Sequence, residues 1–156
     1  MDLIEFKKIQ SEYFQLLYKV TRNNVSLLAD KLENIDDSYI ILRALSSENY
    51  FNIKSEIESL FEKIVYLSID GNPTQILWSR KIIKDIDREY LYENLESIID
   101  KILRCDIDNE NKAFIYRSIT DLYYQLGFER ELKIFLENHC KNSLDIDIRE
   151  MYEDYL

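Results

Sequence analysis

Glycine and proline are scarce in this sequence, with 2 Gly and 1 Pro among 156 residues, whereas average usage is about 7% and 5%. Hairpins and β-sandwiches rely on these residues for their turns, so the sequence disfavours a β-rich fold. Two glycines also leave no glycine-rich loop for holding phosphate groups. An all-α fold with short connections is therefore predicted.

Histidine and cysteine are almost absent, with 1 His and 2 Cys, whereas a zinc site needs three or four suitable ligands. The neighbours His139 and Cys140 point about 100° apart on a helix, which disfavours a Cys–His nucleophile pair. Cys105 and Cys140 show no Cys-x-x-Cys spacing and no disulfide framework. We predict that the protein is not an enzyme and has no catalytic residues, metal or other cofactor.

One acidic segment, Asp106 to Glu110, alternates in the manner of a calcium-binding loop. Asn111 stands at the sixth position, where an EF-hand needs glycine, and Arg117 stands at the twelfth, where it needs glutamate. We interpret this segment, and the similar one that starts at Asp145, as helix N-cap regions.

Long apolar runs are also missing, and none approaches the roughly 18 residues of a membrane-spanning helix. Four charged residues interrupt the first eight positions, so the start does not match a signal peptide. A cytoplasmic protein without membrane association is predicted.

The charge balance is acidic, with 30 Asp plus Glu against 20 Lys plus Arg and a net charge of −10. Residues 1–34 carry equal numbers of acidic and basic residues, so the whole excess lies further along the chain. A negative surface repels phosphate backbones. We predict a basic protein partner and no direct nucleic-acid binding; the oligomeric state stays open.

A repeat organises residues 37–143, marked by Arg43, Arg80 and Arg117 at constant intervals of 37. Each repeat has an apolar quartet at positions i, i+3, i+4 and i+7, one face of an α-helix. The quartets are Ile57, Leu60, Phe61 and Ile64; Leu95, Ile98, Ile99 and Ile102; and Leu132, Phe135, Leu136 and His139. Two helices in a fixed period of 37 to 38 residues are typical of a stacked helical solenoid.

We predict a single domain of about nine helices, an α-α superhelix of stacked helix pairs. An atypical capping pair covers 3–34, repeats cover about 37–72, 73–108 and 109–143, and a closing helix covers 145–156. The predicted helices are 3–21, 25–34, 37–46, 53–69, 73–85, 88–104, 112–126, 129–141 and 145–156.

Local signals set several of these boundaries. Asn24 is predicted to cap the second helix, and Asp37 or Ser38 to open the third. Gly71 is predicted to end a helix in the left-handed conformation, before Pro73 in the next first turn. Gly127 is expected at another C′ position. The first helix carries an apolar stripe of Ile9, Tyr13, Leu16, Leu17 and Val20, begun by Ile4 or Phe6.

Solvent positions of the second helices align as an acidic strip. At the repeat spacing of 37 to 38 residues, Glu62 aligns with Asp100 and then with Glu137. Glu58 aligns in the same way with Glu96 and then with Lys133. Second helices commonly line the concave face of such stacks. The predicted partner-binding residues, called the acidic strip below, are Glu58, Glu62, Glu93, Glu96, Asp100, Glu131 and Glu137. An ordinary solvated face is the alternative interpretation.

The quartets and their period resemble those of HEAT-like α-helical repeat proteins over residues 37–143, and more loosely over 3–34. Small acidic chains of this kind also resemble the immunity proteins of bacterial toxin–immunity systems, including contact-dependent growth inhibition. That resemblance implies a cytosolic inhibitor that binds a cognate toxin domain, often a basic nuclease, and blocks its active site.

Two alternatives remain from other classes. A phage-type anti-defence inhibitor would act as a nucleic-acid mimic through its carboxylates. A helical-repeat adaptor or scaffold would bind a peptide or partner protein in its groove, and its binding would depend less on salt.

Overall fold

The fold is all-α, as the composition predicts. The computed structural model describes residues 2–21 and 25–156, and these ranges contain nine α-helices and no strand. The α-helices are α1 (Leu3–Thr21), α2 (Val25–Leu32), α3 (Ile35–Ser47), α4 (Lys54–Asp70), α5 (Pro73–Asp85), α6 (Arg88–Arg104), α7 (Asn109–Leu126), α8 (Glu129–Phe135) and α9 (Ile146–Tyr155). A 3-10 turn covers Tyr50–Asn52, and a π-helical turn covers Leu136–Cys140.

The chain divides into two compact units, a first unit of Met1–Glu93 and a second unit of Asn94–Leu156. The boundary falls within α6. The sequence-based division into one domain with three repeats stays a prediction. In the described ranges, no helix is both long and apolar enough to cross a membrane.

Helix packing in the first unit follows the alternation expected of stacked helix pairs. The first helices pack on one another, α1 on α3 and α3 on α5, while the second helices pack as α2 on α4. In the second unit, α7 packs against both α8 and α9. Eleven of the twelve quartet residues are buried, and His139 is the exception. The helical-repeat pattern is thereby confirmed at the level of packing.

Asparagine and aspartate caps decide where the helices begin. The side-chain oxygen of Asn34 accepts a hydrogen bond from the backbone N–H of Asp37 at 3.1 Å, so α3 begins at Ile35, earlier than predicted. Asp108 caps α7 and Asp145 caps α9, which confirms the N-cap interpretation of both acidic segments. The predicted cap Asn24 lies outside the described residues.

Helix α4 ends before Gly71, but the backbone conformation of Gly71 differs from the predicted one. Gly71 has φ −75° and ψ 171°, an extended backbone rather than the left-handed one. A Cβ there would lie 2.3 Å from the carbonyl oxygen of Leu67 and 2.9 Å from the Cβ of Gln75, so close packing requires the glycine. Pro73 stands in the first turn of α5, as predicted, and Asn72 and Gln75 form a capping box there.

Gly127 is left-handed, with φ 67°, as predicted for a C′ residue. Its N–H donates to the Tyr124 carbonyl at 3.0 Å, and the N–H of Phe128 donates to the Tyr123 carbonyl at 3.0 Å. This pair of bonds is the Schellman motif, which satisfies carbonyls at the end of α7.

A π-helical turn changes which residue of the third quartet is buried. The N–H of Lys141 reaches the carbonyl of Leu136 at 3.0 Å, a bond that spans five residues. The wider turn shifts the register by one position. Cys140 is fully buried where the sequence places His139, and His139 is exposed.

Helix α1 forms over the predicted residues, but its apolar stripe faces solvent. Ile9, Tyr13 and Leu16 are 51%, 54% and 61% exposed. Ile4 and Phe6, the predicted start of the stripe, are also exposed. The side chains of Leu17 and Val20 lie outside those that the structure describes.

Candidate functional site

The acidic strip is distributed over both compact units. Glu58, Glu62 and Glu93 belong to the first unit. Glu96, Asp100, Glu131 and Glu137 belong to the second. We therefore describe each group within its own unit.

In the first unit, Glu58 has internal partners. Its carboxylate accepts a hydrogen bond from the Tyr50 hydroxyl at 2.9 Å and lies 3.7 Å from the Lys54 ammonium. Burial, followed by Glu58 and more distant charges, raises the pKa of the Tyr50 hydroxyl. Glu58 therefore ties the 3-10 turn to α4. The carboxylates of Glu62 and Glu93 are exposed.

In the second unit, three carboxylates act on one buried phenol. Tyr123 of α7 is 4% exposed, and burial is the main reason that its pKa is raised. The charges of Glu96 and Asp100 on α6 and of Glu131 on α8 raise this pKa further. Such effects require short separations, so three helices bring these groups together. We call Glu96, Asp100 and Glu131 the acidic cluster.

Accessibility differs within the acidic cluster. Glu96 and Asp100 are exposed and lie one helical turn apart, whereas Glu131 is half-buried. Like charges at i and i+4 repel each other mildly in an isolated helix. A cationic side chain placed between them would relieve that repulsion. Glu137, the fourth predicted residue of this unit, is exposed on the π-helical turn.

Aromatic rings lie close to the acidic cluster. The His139 ring lies 5.1 Å from that of Phe135 and 6.1 Å from that of Tyr116. Partial burial of the ring lowers the pKa of His139; Asp100 opposes this shift, and Lys112 adds to it. The Lys112 ammonium sits 5.4 Å from the centre of the Tyr116 ring. The exposed His139 ring adds a flat contact surface beside these aromatic side chains.

The chemistry available here is recognition of cations. Carboxylates accept charge-assisted hydrogen bonds from arginine and lysine, and aromatic faces attract the same groups. Among the described residues, no group of three or more His, Cys, Asp or Glu side chains has the geometry to hold a metal ion. Burial raises the pKa of the Cys140 thiol to about 11, so it is protonated at neutral pH.

The sequence indicated the three carboxylates of the acidic cluster, but not that they lie around the Tyr123 side chain. Glu96, Asp100 and Glu131 were aligned by repeat offsets along second helices, whereas Tyr123 lies on a first helix. The contribution of His139 was missed because the repeat offset placed it in the core. Comparison of the chain with protein-family models, curated proteins and solved structures found no match.

Proposed function

We propose that this chain is a cytoplasmic, non-enzymatic inhibitor of the immunity-protein type. It binds a basic protein partner, a toxin domain with nuclease activity, and neutralises it by covering its cationic surface. The observation that supports this function is the acidic cluster around Tyr123, whose carboxylates come from α6 and α8 within the second unit. The HEAT-like resemblance stays part of the proposal.

The charge distribution supports a partner that is itself basic. A nuclease domain carries lysine and arginine side chains where it holds phosphates. Those cations would meet Glu96 and Asp100 as exposed carboxylates fixed on one helix. Complementary charge speeds encounter and makes association sensitive to salt. An acidic inhibitor therefore competes for the same residues that bind the nucleic acid.

The first test is a pull-down from native lysate with the purified chain as bait, at low and high salt. We expect capture of a basic protein encoded beside this gene, which is lost at high salt. Capture of a DNA-binding defence protein would support the nucleic-acid mimic instead. A peptide or large assembly retained equally at both salt concentrations would favour the adaptor.

The second test reverses charges in two matched pairs. Glu96→Lys with Asp100→Lys removes most of the exposed acidic cluster, while Glu150→Lys with Glu153→Lys changes the net charge equally on exposed positions of α9. We expect the first pair to weaken binding by at least about tenfold, or 1.4 kcal/mol. The second pair should have only the small effect of net charge. Equal losses for both pairs would contradict a localised site.

Single charge reversals at Glu62, Asp100 and Glu137 test one residue of the acidic strip at a time. Glu62 and Glu137 lie in different units, so their separate effects show which unit carries binding. A partner whose affinity ignores all three reversals and salt would overturn the electrostatic proposal.

A further inference from the structure

The largest group of exposed apolar side chains on one described element is on α1. Phe6, Ile9, Tyr13 and Leu16 are each 50% exposed or more. Their spacings of three and four residues place them in one stripe along the helix. An exposed stripe of this kind marks an interaction surface.

The side of α1 opposite the stripe faces α3. Lys7, Gln10, Ser11 and Gln15 line a cavity of about 300 Å³ together with α3 residues that include Arg43. Successive residues lie about 100° apart around a helix, so Ile9 and Ser11 point in roughly opposite directions. Packing against α3 therefore uses the side that carries Ser11 and leaves the stripe outward.

The stripe is symmetric about position 11. Phe6 and Leu16 lie five positions on either side of it, and Ile9 and Tyr13 lie two positions on either side. In an antiparallel pair of α1 helices related by a two-fold axis, Phe6 meets Leu16 of the second copy. Ile9 meets Tyr13 of the second copy in the same arrangement. A two-fold interface requires such self-complementarity.

The charges beside the stripe fit the same register. Glu5 directly precedes the stripe residue Phe6, and Lys19 follows the stripe residue Leu16 by three positions. Both charges therefore lie along the same edge of the stripe. They are about 21 Å apart along the helix, too far to pair within one chain. In the antiparallel arrangement, Glu5 of each copy faces Lys19 of the other, which gives two opposite-charge pairs.

We propose that the α1 stripe is a docking surface for a second copy of this chain, in an antiparallel helix pair. This inference does not depend on the proposed function. One helix pair buries less than the roughly 800 Å² per partner of a standard interface. We therefore expect a reversible dimer with a dissociation constant in the micromolar range or weaker.

Sedimentation velocity of the full chain, between about 1 and 500 μM, measures this equilibrium. Ile9→Glu places a charge in the stripe and should weaken the dimer at least about tenfold. Leu77→Glu is the matched control, because Leu77 is 63% exposed on α5. Circular dichroism of both variants checks that helix content is retained.

Charge swaps test the register. Glu5→Lys and Lys19→Glu should each weaken the dimer about tenfold, since each turns two attractive pairs into repulsive ones. The double variant should recover affinity to within about twofold. Glu12 approaches Glu12 of the second copy on the same edge, so Glu12→Gln should tighten the dimer by about twofold.

Three results would overturn the inference. A chain that stays monomeric over the whole concentration range would show that another molecule covers the stripe or that nothing does. A dimer unchanged by Ile9→Glu would place the contact elsewhere. Failure of the double swap to recover affinity would exclude the antiparallel register.

Discussion

The guanidinium Nε of Arg80 on α5 donates a hydrogen bond to the backbone carbonyl of Ser68 on α4 at 3.1 Å. Arg80 is 9% exposed, and Ser68 is fully buried. Buried polar groups are costly without partners. The bond therefore joins two consecutive helices near the end of α4.

The equivalent arginines of the repeat lie in different surroundings. Arg43 places its guanidinium carbon 5.6 Å from the centre of the Trp78 ring, and Arg117 is exposed. Equal spacing in the sequence thus preserves the position on the helix but not the partner.

Arg80→Ala should lower the free energy of unfolding by about 2–3 kcal/mol, because it leaves a buried carbonyl without this donor. Arg80→Lys should lower the free energy of unfolding by most of this amount, since lysine lacks the Nε donor and the planar group. Urea titration followed by circular dichroism at 222 nm gives the values.

Arg117→Ala is the matched control at the equivalent repeat position. Its exposed side chain predicts a change within about 0.5 kcal/mol. Equal destabilisation by Arg80→Ala and Arg117→Ala would show that the repeat position, and not the Ser68 contact, matters.

The fold was largely predictable because burial of an apolar face is a local pattern. The quartet from Ile57 to Ile64 and the caps at Asn72 and Asp145 depend on residues a few positions apart. The π-helical turn was not predictable, since its extra residue exchanges the places of His139 and Cys140 without changing the helical pattern before it.

The site was predictable only in part, for a different physical reason. Repeat offsets show which residues share a helix face, but a neighbour's position depends on packing between helices. Glu58 aligns with Glu96 in the sequence, but its hydrogen-bond donor, Tyr50, comes from the 3-10 turn before α4. The acidic cluster exists because α7 brings Tyr123 beside carboxylates of two other helices.

The two glycines offer a second prediction, because each is required for a different reason. Gly71→Ala should destabilise the protein by about 1–3 kcal/mol, since the added Cβ collides with the Leu67 carbonyl. Gly127→Ala should cost about 1–2 kcal/mol through its left-handed backbone alone, as nothing crowds a Cβ there. Urea unfolding measures both.

Substitution by asparagine distinguishes the steric cause at Gly71 from the backbone cause at Gly127. Gly127→Asn should recover part of the stability lost by Gly127→Ala, because asparagine tolerates the left-handed conformation. Gly71→Asn should be no better than Gly71→Ala, since any Cβ meets the same carbonyl. Recovery at Gly71 would show that its backbone conformation is the constraint.

The third prediction concerns Tyr155, whose hydroxyl donates to the Asp121 carboxylate at 2.6 Å between α9 and α7. This hydrogen bond, with burial adding to it, raises the pKa of Tyr155 from its ordinary value of 10 to about 12. Only the neutral phenol can donate. Its contribution to stability is therefore fully present below pH 10 and is lost as the pH rises to about 12.

Tyr155→Phe should lower the free energy of unfolding by about 1–2 kcal/mol at pH 7. The difference between this variant and the unmodified protein should shrink steadily from pH 10 towards pH 12, because the phenolate cannot donate. Tyr124→Phe is the control: its ring lies 5.7 Å from that of Tyr155, yet Tyr124 is 66% exposed. That variant should change stability by less than about 0.5 kcal/mol at every pH. A Tyr155→Phe difference near zero at pH 7 would show that ring packing, and not the bond to Asp121, holds α9 on α7.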